Sequence, residues 1–464
     1  MKKSDAINLA ASRGRVTGSA GSAVVSSRRA ANLKKHILNK DAVIAVIGAG
    51  YVGLPLALAF SRKGYRVISF DTDLNKVAQL LQTKSYISTV PSAMIAKAIK
   101  MGKFSATYDA AKLKVADCII ICVPTPLTQE KIPDLSAVES ASKAIVANLK
   151  TGSLVVLEST TYPGTTVEVV KPIIESTGQR CGKDFFLAFS PEREDPGVKG
   201  HALSNIPKVV GGCDRHSADL AQTLYAQVAQ KVVPVSDTQT AEATKMLENI
   251  YRAVNIALVN ELKMLFDRMG IDIWEVIAAS STKPFGYHPF YPGPGWGGHC
   301  IPIDPYYLSW KAKQHDFSTH FIELAGEINT KMAEYVVNKT IDALNRANKP
   351  LNKSTVLILG VAYKPNISDT RESPAIPIYK MLADGKADVI YHDPYAKTFD
   401  CKIAGTTIKA RSRDWSPALL KNADCVLILT AHDFYDPRFI AKHARLIVET
   451  RNLMPRGIAN VTRA

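Results

Sequence analysis

Residues 42–53 read Ala-Val-Ile-Ala-Val-Ile-Gly-Ala-Gly-Tyr-Val-Gly, and this stretch decides the fold. An apolar run of strand length ends in Gly48, Gly50 and Gly53, and a helical pattern opens after it. The first glycine permits a tight turn, the second lets the backbone approach a pyrophosphate, and the third allows close packing of helix on strand. The helix N-terminus then faces the phosphate charge. Asp71 closes the next apolar run, YRVISFD (65–71), eighteen residues after Gly53. A carboxylate there accepts hydrogen bonds from the adenosine ribose. No arginine stands in the DTDLN stretch (71–75) to receive a 2′-phosphate. The fingerprint, with Tyr51 and Val52 inside it, therefore predicts NAD rather than NADP.

Outward from this stretch, short apolar runs alternate with helical patterns twice, the signature of parallel-sheet α/β domains. The first set continues through ADCIIICVPTP (116–126) and GSLVVLEST (152–160). The second comprises STVLILGVAY (354–363), ADVIYHDPY (387–395), ADCVLILTAHD (423–433) and RLIVETRN (445–452). Both sets have a first strand ending in Gly, a second ending in Asp and a third opening with Ala-Asp-Cys. The expected fold is α/β: two Rossmann-like doubly wound parallel-sheet domains joined by a long central helix. That helix is expected over 238–270, with Met246, Ile250, Val254, Leu258, Leu262 and Leu265 as one apolar stripe and Gly270 as its stop. It is read either as a dimerisation surface or as an intradomain spine. The expected units are a leader (1–36), a cofactor domain (37–236), a central helical domain (237–335) and a second Rossmann-like domain (336–464).

The net charge is +16, yet residues 1–40 hold nine Lys or Arg against Asp5 alone, which is +8. The body is thus only mildly basic, which suits an anionic small molecule and gives no nucleic-acid surface. The leader reads as a flexible basic tail, with a transit peptide as the alternative. No apolar run reaches membrane-spanning length. Seven cysteines (118, 122, 181, 213, 300, 401, 425) without a CxxC pair argue for a reduced compartment, the cytoplasm, and against a disulfide framework or a metal site.

Cys118 and Cys122 lie on an apolar strand and read as small buried hydrophobes. Cys300 differs, because in Gly297-Gly-His-Cys-Ile-Pro-Ile-Asp304 it follows two glycines, has His299 beside it and has an aspartate four residues on. Such a setting holds a thiol and a base together. A reactive thiol plus NAD points to an oxidation running through a thiohemiacetal and a thioester. Lys245 and Asn249, four apart on one helix face, supply a cation and an amide donor for a developing oxyanion.

Seven motifs now stand in order: GAGYVGLP (48–55), CVPTP (122–126), ESTTYPGTT (158–166), FSPERE (189–194), ATKMLENIYRAVNIALVNE (243–261), GGHCIPIDP (297–305) and YKPNISDTRESP (363–374). Together the chain after the leader resembles the UDP-glucose/GDP-mannose dehydrogenase family. The resemblance implies a four-electron oxidation of a UDP-hexose at C6, with Cys300 as nucleophile and Asp304 as base or water-orienting group. It implies Lys245 and Asn249 as oxyanion donors and Glu192 in proton removal or thioester hydrolysis. Thr160 would position water and, with Pro124 and Thr125, line the cofactor. Gly297, Lys364 and Arg371, with Glu192, Lys245 and Asn249, would contact the UDP-sugar, and the assembly would be a homodimer or larger through the central helix.

One departure matters: glucose-type members carry a second glutamate four residues after the first, and Pro196 stands there. SPEREDPG (190–197) and the loop KPFGYHPFYPGPGWGG (283–298) instead resemble the dehydrogenases of UDP-N-acetylhexosamines that serve surface-polysaccharide synthesis, with UDP-N-acetylglucosamine as the favoured substrate. The rings of Phe285, Tyr287, Phe290, Tyr291 and Trp296 are expected to cover the acetyl methyl. The alternatives are UDP-glucose as substrate and, from another class, a non-catalytic nucleotide-sugar-binding protein.

Overall fold

The computed structural model describes residues 19–87, 89–128, 130–193, 205–298, 300–403 and 406–464. The first eighteen residues of the expected leader, His299 and Pro196 lie outside the described residues.

The first sheet contains β1 (Val43–Ile47), β2 (Arg66–Phe70), β3 (Phe104–Thr107), β4 (Cys118–Ile121), β5 (Leu154–Leu157), β6 (Phe186–Phe189), β7 (Lys208–Gly212) and β8 (Val232–Pro234). Their order is β3-β2-β1-β4-β5-β6-β7-β8, parallel throughout except where β7 meets β6. Every residue of β1, β4, β5 and β6 is buried. Helices cover both faces, which is why these strands are continuously apolar rather than alternating.

The second sheet contains β9 (Thr355–Leu359), β10 (Asp388–His392), β13 (Cys425–Ile428), β14 (Ile447–Glu449) and β15 (Val461–Arg463). It is parallel in the order β10-β9-β13-β14-β15. A hairpin of β11 (Thr398–Ile403) and β12 (Thr406–Arg411) stands apart. The two-sheet α/β expectation holds.

The helices used below are α1 (Ser19–Asn39), α2 (Gly53–Arg62), α3 (Arg215–Tyr225), α4 (Thr238–Met269), α5 (Ile273–Ser280), α6 (Asp304–Lys313) and α7 (His320–Arg346). The first corrects the expected leader. From Ser19 onward the segment is a helix that buries Ser26, Ala30, Leu33 and Ile37, three of them in the core that also holds α2 and α3. Arg29 reaches the Lys183 carbonyl at 2.7 Å and Asp184 at 2.8 Å, and Lys34 reaches Asp219 at 2.7 Å. Burial of Leu33 and Ile37 stabilises this docking by roughly 1.5–3 kcal/mol each. Two of the leader's basic residues, Arg29 and Lys34, are thus held by carboxylates of the body.

The long helix runs as expected, capped by Asp237, whose side chain accepts from Thr240 N, and ended by Gly270 at φ 72°. Its stripe holds only over the first turns: Met246 is buried and Ile250 and Val254 pack against core residues, but Leu258 is 50 % and Leu265 48 % exposed. The inward face carries Lys245, Asn249, Ala253, Ala257, Asn260 and Lys263 instead. Small alanines there let α7 approach, and its amides join Asn329 of α7: Asn260 Nδ2 donates to Asn329 Oδ1 at 2.7 Å. The helix α7 is continuous across 335–336, so the boundary expected there falls inside one helix.

Candidate active site

The glycine turn is built from its own sterics. Gly48 has φ +97°, and a Cβ on it would press on the Cys122 carbonyl of β4's end. A Cβ on Gly53 would collide with the Gly48 carbonyl, whereas one on Gly50 would meet no atom of the chain. The middle glycine therefore keeps space for something other than the protein. The first turn of α2 has no side-chain cap, which leaves its N–H groups for an anion. Asp71, at the end of β2, accepts from Ala49 N at 2.8 Å and from Asp73 N at 2.9 Å. Thr125 donates to the Thr160 carbonyl at 2.7 Å, joining the ends of β4 and β5, and Tyr307 donates to the Thr125 carbonyl at 2.6 Å. Pro124 lies beside this pair and is exposed. These residues fit a dinucleotide: a loop narrowed by glycine, uncapped donors and a carboxylate at the neighbouring strand end.

The loop to Cys300 is pressed onto the second domain. A Cβ on Gly297 would lie 2.8 Å from Tyr363 Cβ and 3.1 Å from the Glu372 carbonyl, and Gly298 N donates to the Arg371 carbonyl at 3.2 Å. The GGHCIPIDP and YKPNISDTRESP motifs, 66 residues apart at their first positions, thus form one junction. Arg371 is held by Asp369 through Nε at 2.9 Å and Nη2 at 2.5 Å, and its guanidinium lies 5.0 Å from the centre of the Tyr51 ring. A residue expected at the substrate and one expected at the cofactor are therefore in contact. Lys364, half-buried on the same segment, has a partner within the protein.

Three expected residues gather around Cys300. Asp304 opens α6, donates its N–H to the Cys300 carbonyl at 2.8 Å and accepts from Asn249 Nδ2 at 2.5 Å. Lys245 and Asn249 are buried on α4. Burial raises the Asp304 carboxyl to about 7, against the opposing pull of Lys245 and the Asn249 hydrogen bond. Burial also pushes the Cys300 thiol up to about 11; the Asp304 charge adds to this, and Lys245, Arg252 and Arg371 oppose it. Near neutral pH the site holds a protonated thiol beside a carboxyl group that itself titrates there, so its carboxylate form can take the thiol proton as the sulfur attacks.

Glu192 is placed differently. Its carbonyl accepts from Lys245 Nζ at 2.6 Å, but its carboxylate turns inward to Lys208 Nζ at 3.3 Å. The aromatic loop also departs from expectation. Phe290 packs edge-on against Tyr251 of α4, Tyr291 stacks on Trp274 of α5, and Trp296 meets Tyr306 of α6. Phe285 is 71 % exposed. These rings fasten the loop to helices and form an outer surface, because neighbouring helices offered aromatic partners that the one-dimensional reading had no means to count.

Sequence reasoning missed three groups. Arg252 acts on Cys300 through its charge and was detectable, standing three residues beyond Asn249 and seven beyond Lys245 on one helix face. Glu242, buried on α4, accepts from Gly164 N at 2.5 Å and Thr166 N at 2.9 Å, tying the ESTTYPGTT segment to the long helix. Lys208 opens an apolar strand and gave no signal beyond being charged there.

Comparison with known proteins accords with this arrangement. The UDP-glucose/GDP-mannose dehydrogenase family descriptions match in sequence order: the NAD binding domain over 42–229, the central domain over 239–331 and the UDP binding domain over 357–456. The chain is 38 % identical over 363 residues to a UDP-N-acetyl-D-glucosamine 6-dehydrogenase of Pseudomonas aeruginosa, covering 78 % of this chain and 85 % of the relative. It is 33 % identical over 418 residues to a UDP-N-acetyl-D-mannosamine dehydrogenase of Pyrococcus horikoshii, covering 89 % and 96 %. A solved UDP-D-ManNAc dehydrogenase from Pyrococcus horikoshii superposes with a TM-score of 0.82 at 31 % identity, over 91 % of this chain and 98 % of that one. Among the described residues no helix is long and apolar enough to cross a membrane. With an NAD half, a UDP half and the junction between them accounted for, the chain belongs to the UDP-glucose/GDP-mannose dehydrogenase family, enzymes that oxidise UDP-sugars with NAD.

Proposed function

We propose that the enzyme oxidises C6 of a UDP-N-acetylhexosamine, UDP-N-acetylglucosamine first, to the uronic acid through a thioester on Cys300. The observation that carries the reading is the buried cluster of Cys300, Asp304, Asn249 and Lys245, in which Asp304 is tied to both the thiol segment and the amide. The Gly48–Gly53 turn, Asp71, Thr125 and Thr160 would hold NAD, which would supply the two-electron oxidant for each of the two oxidations. Lys245 and Asn249 stabilise the C6 oxyanion. Cys300 adds to the aldehyde carbon while its proton passes to Asp304, and the sulfur leaves again when water, oriented by Thr160 and Glu192, hydrolyses the thioester. The balance is alcohol, two NAD and water to carboxylate, two NADH and three protons. Lys364 and Arg371 hold the diphosphate or uridine end.

The acetamido preference draws its support from the N-acetylhexosamine relatives. The aromatic loop lends it little, since Phe290, Tyr291 and Trp296 pack on helices and Phe285 and Tyr287 are exposed. UDP-glucose remains the second reading, favoured by likeness to a UDP-glucose dehydrogenase from Pyrobaculum islandicum (TM-score 0.77, 26 % identity). We assign homodimerisation to the outward stripe of Leu247, Tyr251, Leu258 and Leu265 on α4, which leaves large apolar side chains in water; a monomeric mass by light scattering rejects it. The reduced cytoplasm suits an enzyme that depends on a free thiol, and a uronic-acid product suits surface-polysaccharide synthesis. Side-by-side kinetics with NAD and a panel of UDP-sugars tests the whole reading. The expected result is two NADH per sugar and a kcat/KM for UDP-N-acetylglucosamine about 10-fold or more above that for UDP-glucose. One NADH per sugar removes the thioester route, and equal efficiency removes the acetamido preference.

A further inference from the structure

Beside the segment that meets Lys245, three charged side chains, from the ends of β5 and β6 and the start of β7, meet in the interior. Lys208, the first residue of β7, lies 3.1 Å from Glu158 Oε1 and 3.3 Å from Glu192 Oε2, with side-chain exposures of 3 %, 0 % and 10 % for Lys208, Glu158 and Glu192. Tyr225 of α3 donates its hydroxyl to Glu158, and its ring lies 5.2 Å beneath the Lys208 ammonium. Cys122 at the end of β4 donates its thiol to Glu158 at 3.9 Å. Two carboxylates therefore share one buried cation. Burying such a set costs several kcal/mol in desolvation that a well-packed apolar filling would avoid, so stability alone gives no reason for it.

The same strand-end segment continues into the site. Glu192 Oε1 accepts from Arg193 N at 2.8 Å, Arg193 Nε reaches Glu248 of α4 at 3.1 Å, and the Glu192 carbonyl accepts from Lys245 Nζ at 2.6 Å. Glu192 thus links Lys208 on one side to Lys245 on the other. We propose that Lys208, braced by Glu158, is a positioning residue of the dehydrogenase site: by holding the Glu192 carboxylate it fixes the carbonyl that aims the Lys245 ammonium at the reacting centre. Without Lys208, the Glu158 and Glu192 carboxylates are left facing each other in a dry interior. One then takes a proton or the two separate, and either change turns the Glu192 peptide. Among the described residues, the charged and titratable groups around Glu192 include Glu158 just after β5, Cys122 just after β4, Lys208 of β7, Tyr225 of α3, and Lys245 and Glu248 of α4, with Arg193 beside it. Lys208 is the cation that contacts both carboxylates.

This inference rests on the reading that Lys245 and Glu192 serve the reaction, and the test separates the two. In the full-length enzyme with UDP-N-acetylglucosamine and NAD, Lys208→Met is expected to lower kcat about 100-fold, the scale of a small misplacement at a reacting centre. The sugar KM should stay within about threefold, so that the loss falls on kcat and not on binding. Lys208→Arg, which keeps the charge, is expected to retain at least about a tenth of the activity. If Lys208→Met does not fold, Glu158→Gln/Lys208→Met removes one anion together with the cation and is expected to show the same kcat loss. A kcat within twofold of wild type in a folded Lys208 variant, or a loss confined to KM, overturns the proposal while wild type, Glu192→Gln and Lys245→Met behave as the functional reading requires. A wild type that oxidises no UDP-sugar, or Glu192→Gln and Lys245→Met variants that lose nothing, overturns that reading itself.

Discussion

Gly48 and Gly360 occupy the same place in their two domains, and the comparison shows how far one turn can be reused. Each follows a first strand with positive φ, +97° and +79°. Each donates its N–H to the last residue of the second strand, Gly48 to Phe70 at 2.8 Å and Gly360 to His392 at 3.0 Å. In both, the next N–H meets an aspartate at 2.8 Å, Ala49 to Asp71 and Val361 to Asp393. From there they diverge. After Gly48 two more glycines lead into the uncapped helix α2, and Asp71 keeps some exposure. After Gly360 the chain runs instead through 361–374 to the Cys300 loop. Asp393 is fully buried, accepting from the N–H groups of Val361, Ala362, Tyr395 and Ala396 and pairing with His432 at 3.1 Å. His432 first among its partners, together with those backbone donors, holds the Asp393 carboxyl down to about 2 despite its burial. Asp71, the ribose acceptor proposed for the first half, takes two backbone N–H groups and lies 3.4 Å from Lys76 Nζ, whereas Asp393 is wholly consumed in holding its turn.

If the two turns serve one reaction at their junction, Cys300 is where the largest effect falls. Cys300→Ser is expected to lower turnover at least about 1,000-fold, since a hydroxyl is a poor nucleophile without an activating base. NAD and UDP-sugar affinities, held by the separate halves, should change little in calorimetry. Turnover near wild type would remove the covalent route.

Exchanging the fate of the two aspartates is the direct way to break the comparison. Asp393→Ala leaves buried backbone donors and His432 without their acceptor and should cost about 3–5 kcal/mol in denaturant unfolding, with the NAD KM unchanged. Asp71→Ala should do the reverse, raising the NAD KM about 10- to 100-fold, the worth of hydrogen bonds to a charged group, with a smaller stability loss. Equal stability losses in the two variants would mean that Asp71 is scaffolding as well.

Acid sharpens the same contrast by a smaller margin. Burial lowers the His392 ring to about 4 from its usual 6.5, with the neighbouring Asp393 charge opposing. A base depressed in the folded state contributes stability above its unfolded value that is lost as pH falls toward its folded one. The second domain should therefore lose about 3 kcal/mol between pH 6.5 and 4, and Asp393 adds a further loss below that. Amide exchange in β9, β10 and β13 should accelerate in this window more than in β1, β2 and β4, and His392→Gln should flatten the difference. Uniform acceleration across both sheets would show that the His392 environment is not the cause.

Much of this was legible along the chain. The apolar runs at 42–50, 65–71, 354–363 and 387–395 hold β1, β2, β9 and β10, because a strand buried on both faces must be apolar at every position. The long helix ended within one residue of expectation, since the Asp237 side chain caps its start and Gly270, lacking a side chain, adopts the left-handed turn at φ 72° that ends it. The α1 helix was also written, as Ser26, Ala30, Leu33 and Ile37 at helical spacing, but its Ser- and Arg-rich background hid the small apolar face. The stripe on α4 misled because hydrophobicity says that a side chain seeks cover without saying whether the cover is this chain or another.

By itself, then, the sequence determined the two parallel sheets, the glycine turn with its aspartate and the kinship of Cys300, Asp304, Lys245 and Asn249. Each is encoded in residue type at short, regular spacing. Only the tertiary structure decided that Asp393 is spent on its turn, that the Glu192 carboxylate faces Lys208, and that Phe290, Tyr291 and Trp296 lie on helices. Those outcomes depend on which distant strand end arrives beside a given side chain. A buried charge must take whatever partner the packing brings to it, and no local spacing records that partner.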